Sequence, residues 1–249
     1  MDNFTPIALV TGAIGGIGSI TCKKLIEEGY QVVAICRQKP AEVLTQWLSD
    51  YDINKDAVKF AFMDVTNNEE CSVELEKLHK ELGHFDVLVN NAGITRDTQF
   101  KKMDYKQWRD VIDTNLNSLF NVSQPVFNAM CERGYGRIIN ISSINGLKGQ
   151  FGQTNYAAAK AGMIGFTKAL AMEGARKGVT VNAVAPGYTK TPMVEELKPA
   201  VIESITAQIP VNRLAEPKEV AAAVAYLANK DSGFITGETL SINGGQYMH

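Results

Sequence analysis

Residues 7–18 read IALVTGAIGGIG: an apolar run of strand-forming residues passes directly into a turn with glycines at 12, 15, 16 and 18, and residues 17–28 then repeat apolar side chains at helical intervals. Strand, glycine-rich turn and helix in that order form the first half of a βαβ unit. The same alternation continues along the chain. Further β-rich runs, QVVAIC, VKFAFMDV, DVLVNN, RIINIS, VTVNAVAP and TLSIN, are separated by helically spaced stretches such as 67–82 and 105–133. Seven strands joined by helices predict a single-domain α/β, doubly wound Rossmann fold, with a seven-stranded parallel sheet and helices on both faces. In such sheets the ligand crevice lies beyond the carboxyl ends of the strands, where strand order reverses.

The 249 residues suffice for one large domain, and no Pro/Gly/Ser-rich linker divides them. Lys and Arg number 25 and Asp and Glu 27, so no bulk field draws the protein to nucleic acid or to an anionic membrane. No apolar run approaches a membrane span, the first ten residues lack a basic leader, and a cytoplasmic protein is expected. Cys22, Cys36, Cys71 and Cys131 lie far apart with no His cluster, which suggests neither a metal site nor a disulfide framework. The regular pattern loosens over 188–213, read either as a lid over the crevice or as a surface insertion.

In the turn that carries Gly12, Gly15, Gly16, Ile17 and Gly18, the four glycines remove Cβ atoms where backbone must bend or approach a pyrophosphate, and the following helix N-terminus offers N–H groups to the anion. Packing alone can also demand glycines, so the position after the first strand carries the weight. At the end of the second strand, AICRQK contains no acid to hold an adenine-ribose hydroxyl. Arg37, with Lys39 nearby, is instead suited to a 2′-phosphate, which predicts NADP(H), although Ile14 stands in the glycine turn where a basic residue would add to that preference. Tyr156 and Lys160, four apart in an Ala-rich helix, project from one face. A free phenol titrates near pH ~10. A cation about 4 Å away at an effective dielectric of about 20 is worth roughly 4 kcal/mol, so a phenol shifted toward neutrality, fit for general acid work, is expected. Ser143, closing the fifth strand, can donate to a carbonyl oxygen as charge develops there.

Taken together, TGxxxGxG at Gly12, Gly16 and Gly18, NNAG at 90–93, Asn115, Ser143, the YxxxK pair Tyr156/Lys160 and the PG at Pro186/Gly187 resemble the short-chain dehydrogenase/reductase family over the whole chain. The resemblance implies hydride transfer from NADPH with Tyr156 protonating the nascent alkoxide, Ser143 orienting the carbonyl, Lys160 holding the nicotinamide ribose and Asn115 positioning a relay water. It also implies that Asp64 meets the adenine with Val65 beside the ring, with a helix cap as the alternative for Asp64, and that Asn91, Ala92 and Gly93 run beside the cofactor ribose. It requires no metal and implies a homotetramer.

Within that family, NNAGITRDTQFKKM and the KGQFGQTNY segment resemble the branch that reduces acetoacetyl-CoA in polyhydroxybutyrate synthesis; the reductases of 3-oxoacyl thioesters on acyl-carrier protein share GITRD. This resemblance implies a small acyl pocket of Gln150, Phe151, Gly152, Gln153 and Tyr188, with Asp97 and Lys198 toward the CoA entrance. Phe151 packed under its loop and glutamines facing water are the plainer alternative. A carrier-protein enzyme predicts a basic docking patch, for which Arg133, Arg137, Arg176 and Lys177 are candidates. A nucleotide-binding sensor without catalysis is a third reading, but it has no need of Ser143, Tyr156 and Lys160.

Overall fold

In a computed structural model of the chain, residues 5–195 and 198–248 are described. The seven strands are β1 (Ile7–Thr11), β2 (Gln31–Cys36), β3 (Val58–Phe62), β4 (Val87–Asn90), β5 (Gly136–Ile141), β6 (Val179–Pro186) and β7 (Thr239–Ile242). They form one parallel sheet in the order β3-β2-β1-β4-β5-β6-β7, as expected, so strand order reverses between β1 and β4. A sheet covered on both faces needs apolar residues at successive positions, and β1 shows this: Ala8 and Val10 enter one core, Ile7 and Leu9 the other. The first core is closed by α1 (Gly16–Glu27), α2 (Ala41–Asp50) and α10 (Pro217–Ala228), the second by α3 (Asn68–Leu82), α5 (Ser118–Arg133) and α7 (Thr154–Gly174).

Three expected boundaries move. β3 stops at Phe62, so Asp64 and Val65 lie in the turn into α3, where Asp64 Oδ1 accepts from Thr66 N at 2.9 Å. β5 stops at Ile141 and leaves Ser143 as the N-cap of α6 (Ile144–Lys148). The helical stretch 105–133 is two helices, α4 (Tyr105–Ile112) and α5, fused by a π turn, Asp113–Asn117. Asn115 therefore sits in a π turn rather than in a regular fourth helix; such turns displace one residue from the helical ladder.

The region expected to cover the crevice carries α8 (Pro192–Glu195) and α9 (Pro199–Thr206). Its residues 196 and 197 lie outside the described residues. Both ends of 188–213 are clasped together: Lys190 N–H donates to Ala215 O at 2.8 Å and Ala215 N–H to Tyr188 O at 2.9 Å.

At the amino ends of the strands Asp86 ties three of them together. Its carboxylate accepts from Ile7 N–H at 2.7 Å and from Arg133 Nη2 at 2.8 Å, while its own carbonyl accepts from Arg137 N–H. The side chain is only 3% exposed, and removing one partner of a buried ion pair strands the other. Asp86→Ala is expected to cost about 3 kcal/mol in urea unfolding, with turnover per folded molecule unchanged because the site lies at the opposite end of the sheet.

Candidate active site

The turns after β1 and β4 are held in direct contact. Thr11 Oγ1 accepts from the backbone N–H of both Asn91 and Ala92 at 3.0 Å, and Asn91 Nδ2 donates to the carbonyls of Thr11 and Gly12 at 3.0 and 3.1 Å. Gly12 has φ +61°, and a Cβ there would lie 2.9 Å from Ala92 Cα; one on Gly18 would lie 2.2 Å from Gly12 O. These two glycines are therefore demanded by backbone contact. Gly15 is exposed and caps α1 with no side chain, leaving the first N–H groups of that helix to an anion. Ile17, partly buried, packs on the core beneath.

Gly15–Gly18, Arg37 and Asp64 follow the adjacent strands β1, β2 and β3 and so line one edge. Arg37 is exposed with no ion-pair partner among the described residues. Asp64 uses Oδ1 to close its own turn on Thr66 and does not cap α3, whose N-cap is Asn67, and Val65 O accepts from Asn121 Nδ2 at 2.9 Å. On the other side of the crevice Pro186 ends β6, and Gly187 N–H donates to Ile242 O at 2.8 Å. A bare helix start, a glycine turn and a cation one strand away fit a dinucleotide with an added phosphate.

Four elements converge beside this edge. Ser142, the alternative to Ser143, is buried and spends its hydroxyl on Lys160 O at 2.9 Å. Ser143 is extended and its Oγ accepts from Asn145 N–H at 3.1 Å. A Cβ on Gly146 would lie 2.7 Å from Lys160 C, so α6 rests directly on the α7 backbone. That contact brings the Ser143 side chain into hydrogen bonding with the Tyr156 hydroxyl. Lys160 is 3% exposed and donates from Nζ to Ile141 O at 2.6 Å. A Cβ on Gly93 would stand 3.4 Å from Asn115 Oδ1 and 3.6 Å from Lys160 Nζ, which places the three together. Asn115 spends both ends of its amide on Ile94, accepting from N–H at 2.8 Å and donating to O at 2.9 Å. Its side chain thus pins the β4–α4 loop.

The electrostatics differ from the sequence expectation. Burial pushes the Lys160 ammonium down to about 8. The Tyr156 phenol is held above its ordinary value, first by burial, with the Ser143 hydrogen bond pulling it back and the charge of Asp97 raising it further. No depression by Lys160 is found, because Nζ turns to Ile141 O and lies 5.6 Å from the Tyr156 ring centroid. Desolvation outweighs the cation, and the phenol is protonated.

Of the residues expected around the substrate, Gln153 donates from Nε2 to Asp97 Oδ2 at 2.7 Å, and the half-buried Tyr188 phenol also feels the charge of Asp97. Gly152, at φ +80°, accepts from Thr98 N–H at 2.9 Å. Gln150 accepts from Lys148 Nζ at 3.3 Å, Phe151 is 81% exposed, and Lys198 is exposed at the start of α9. Two positions escaped the sequence reading. Asn155, fully buried, donates to Arg96 O at 3.2 Å and Gln107 O at 3.0 Å and so seats α7 one residue before Tyr156. Asn145 donates from Nδ2 to Gln153 Oε1 at 2.9 Å. The one available signal was a polar residue inside a segment that must be buried between a strand end and a helix.

Among the described residues no group of three or more His, Cys, Asp or Glu is placed to hold a metal, and no helix is long and apolar enough to cross a membrane. The family model described as short chain dehydrogenase matches residues 6–201. The chain is 57% identical to an acetoacetyl-CoA reductase of Acinetobacter sp. (strain RA3849), with 98% of each chain covered. It is 54% identical to nodulation protein G of Azospirillum brasilense, covering 96% of this chain and 97% of that one. A 3-oxoacyl-[acyl-carrier-protein] reductase of Vibrio cholerae is 46% identical, with 97% of each covered.

The buried ammonium makes a linkage prediction. Lys160 titrates at about 8 when folded against an ordinary 10.5. Between those values the unfolded chain holds a proton that the folded chain lacks, so stability rises with pH across this window. Lys160→Met lacks that contribution. In urea melts of cofactor-free protein, wild type should gain on Lys160→Met by on the order of 2 kcal/mol from pH 8 to pH 10; a pH-independent difference would contradict the burial of a titrating amine.

Proposed function

The chain belongs to the short-chain dehydrogenase family, and from this we propose that it reduces acetoacetyl-CoA to (R)-3-hydroxybutyryl-CoA with NADPH, Tyr156 acting as general acid. The observation that carries the reading is the protonated Tyr156 phenol hydrogen-bonded to Ser143 above a buried Lys160, next to a glycine cradle. The bound dinucleotide supplies the hydride. The chain's own residues do the rest: Ser143 donates to the carbonyl oxygen, Tyr156 passes it a proton and is left as phenolate, and the Lys160 ammonium balances that negative charge. Gly12, Gly15, Gly16, Ile17, Gly18, Arg37, Asp64, Val65, Asn91, Ala92, Gly93, Pro186 and Gly187 line the cofactor edge in this reading. Asp97, Gln150, Phe151, Gly152, Gln153, Tyr188 and Lys198 face the thioester, with 188–213 as the lid.

Support for the CoA thioester over a carrier-protein thioester comes from the KGQFGQTN segment and from the fate of the candidate docking patch. Arg133 is engaged by Asp86, and Arg137 is 4% exposed with its guanidinium on the carbonyls of Gly136, Asn229 and Lys230. Arg176 and Lys177 precede β6, at the amino ends of the strands and away from the site. A homotetramer in the cytoplasm completes the proposal; exposed Phe120 on α5, Met172 on α7 and Phe234 before β7 supply apolar surface for it.

Initial rates with NADPH and NADH across 3-oxoacyl thioesters on CoA and on carrier protein test the reading, and a clear preference for the carrier form would replace it with the fatty-acid reductase. Tyr156→Phe is expected to lose about 10³-fold in kcat while keeping cofactor affinity, measured by fluorescence titration. Arg37→Asp should lower the NADPH preference by about 30-fold or more in kcat/KM ratios, through loss of charge-assisted hydrogen bonds to the phosphate.

A further inference from the structure

Resting on the reading of Tyr156 as proton donor, we propose that Asn145 is a positioning residue that fixes the direction of the Gln153 amide and, through it, the place of the Asp97 carboxylate within electrostatic reach of Tyr156. The three side chains form one hydrogen-bonded chain from buried to exposed. Asn145 Nδ2 donates to Gln153 Oε1 at 2.9 Å, and Gln153 Nε2 donates to Asp97 Oδ2 at 2.7 Å. Its polarity is dictated from the outer end. A carboxylate only accepts, so Gln153 must offer Asp97 its amino group, which leaves the Gln153 oxygen facing Asn145 and obliges Asn145 to donate. Asn145 Oδ1 is the group left over: it is buried with no partner among the described residues. An apolar side chain would avoid that orphan, so the amide is held for its donor end.

The chain joins three segments that meet at the reaction centre. Asn145 lies in α6 and its backbone N–H also donates to Ser143 Oγ; Gln153 immediately precedes α7; Asp97 lies in the β4–α4 loop. Thr98 N–H on Gly152 O is a second tie between that loop and the start of α7. The charged and titratable groups that face Tyr156 are Lys160 from its own helix and Asp97 from this loop; Tyr188, from the segment after β6, is also raised by the charge of Asp97. Burial does most to keep the phenol protonated, and Asp97 adds to it. Held in place, Asp97 favours the proton-bearing form that a reduction requires.

Reversing the polarity of the chain tests this. Asn145→Asp leaves one amino group between two carboxylates, whereas Asp97→Asn still offers Gln153 Nε2 an amide oxygen and removes only the charge; the double variant allows a continuous chain running the other way, with no carboxylate at position 97. We expect Asn145→Asp to lower the urea midpoint, and each single change to lower kcat/KM with NADPH about tenfold, on acetoacetyl-CoA and on the acetoacetyl thioester of N-acetylcysteamine. The double variant should recover the urea midpoint and fall no further in kcat/KM than Asp97→Asn alone, because Asn145 acts through the Asp97 charge. Asp97→Asn alone should also move the alkaline limb of kcat to lower pH. Additive losses of kcat/KM in the double variant assign Asn145 to packing and overturn the proposal. If Asn145→Asp cannot be purified, Asn145→Ala and Asp97→Ala in the same cycle decide it, sub-additive losses in kcat/KM supporting the chain and additive ones overturning it. Wild-type protein inert on both thioesters sinks the reductase reading and the catalytic role with it, while the urea cycle still reports whether the chain exists.

Discussion

The contact between the turns that follow β1 and β4 governs the rest of the molecule. Two parallel strands whose connections leave in opposite directions open a crevice at their carboxyl ends, and here the two loops are locked to each other rather than splayed. The lock is backbone on backbone: Gly12 against Ala92, Gly18 against Gly12 O, and Thr11 Oγ1 taking both N–H groups of the opposing turn. One turn starts α1 and sets the phosphate-binding edge. The other runs through Gly93 to Ile94, which Asn115 grips from the π turn. Cofactor edge and reaction centre are thus set at a fixed separation by one junction, and any Cβ inserted there disturbs both.

The second constraint is the desolvation of Lys160. A buried ammonium costs free energy, and the chain offsets part of it with a single carbonyl, Ile141 O, at the end of β5. Ser142 reinforces the same arrangement by donating to Lys160 O, so strand end and helix grip each other at two points. The amine that results loses its proton far more readily than a free one. Tyr156, raised above 10.0, and Lys160, lowered from 10.5 to about 8, have exchanged order and moved apart, the phenol now the tighter holder of its proton. That order suits a phenol that gives its proton to an alkoxide and regains one from the direction of the amine.

The fold was legible because both sheet faces are buried at its centre: β1, β2 and β4 read as near-continuous apolar runs, and the helical period fills the gaps between strands. The pairing of Tyr156 with Lys160 was legible for a different reason, since residues four apart share a helix face. What the sequence could not supply was the balance between burial and charge. A four-residue spacing promised Coulombic coupling, but the sign of the phenol's shift depends on how far Nζ turns away and on how much water is excluded, both properties of packing by α6. Asn145 escaped for a related reason: its importance lies in a through-space partner eight residues on, and a short helix of five residues has too few positions to display a face. Asp64 shows the limit in another way: the helix cap expected as its alternative role falls to Asn67, three residues on, while Asp64 closes only its own turn.

The segment 188–213, read as a lid, gains its meaning from its feet. Thr189 pairs with Ala215 as an isolated parallel bridge, and ion pairs Lys190–Glu216 and Arg213–Glu219 flank it. Exposed pairs of this kind contribute little individually, but Arg213 holds the Glu219 carboxyl down to about 2, so the clasp persists far into acid. With both feet fixed beside each other, displacement of the segment must pivot between them and cannot slide along the sheet. Just past the first foot, Thr191 and Pro192 lie where a Cβ on Gly16 would stand, 2.9 and 3.2 Å away. The glycine at position 16 therefore does two things: it bares the start of α1 and it leaves room for Thr191 and Pro192 against that helix start. A bulkier residue there would push on this stretch of the segment that follows β6.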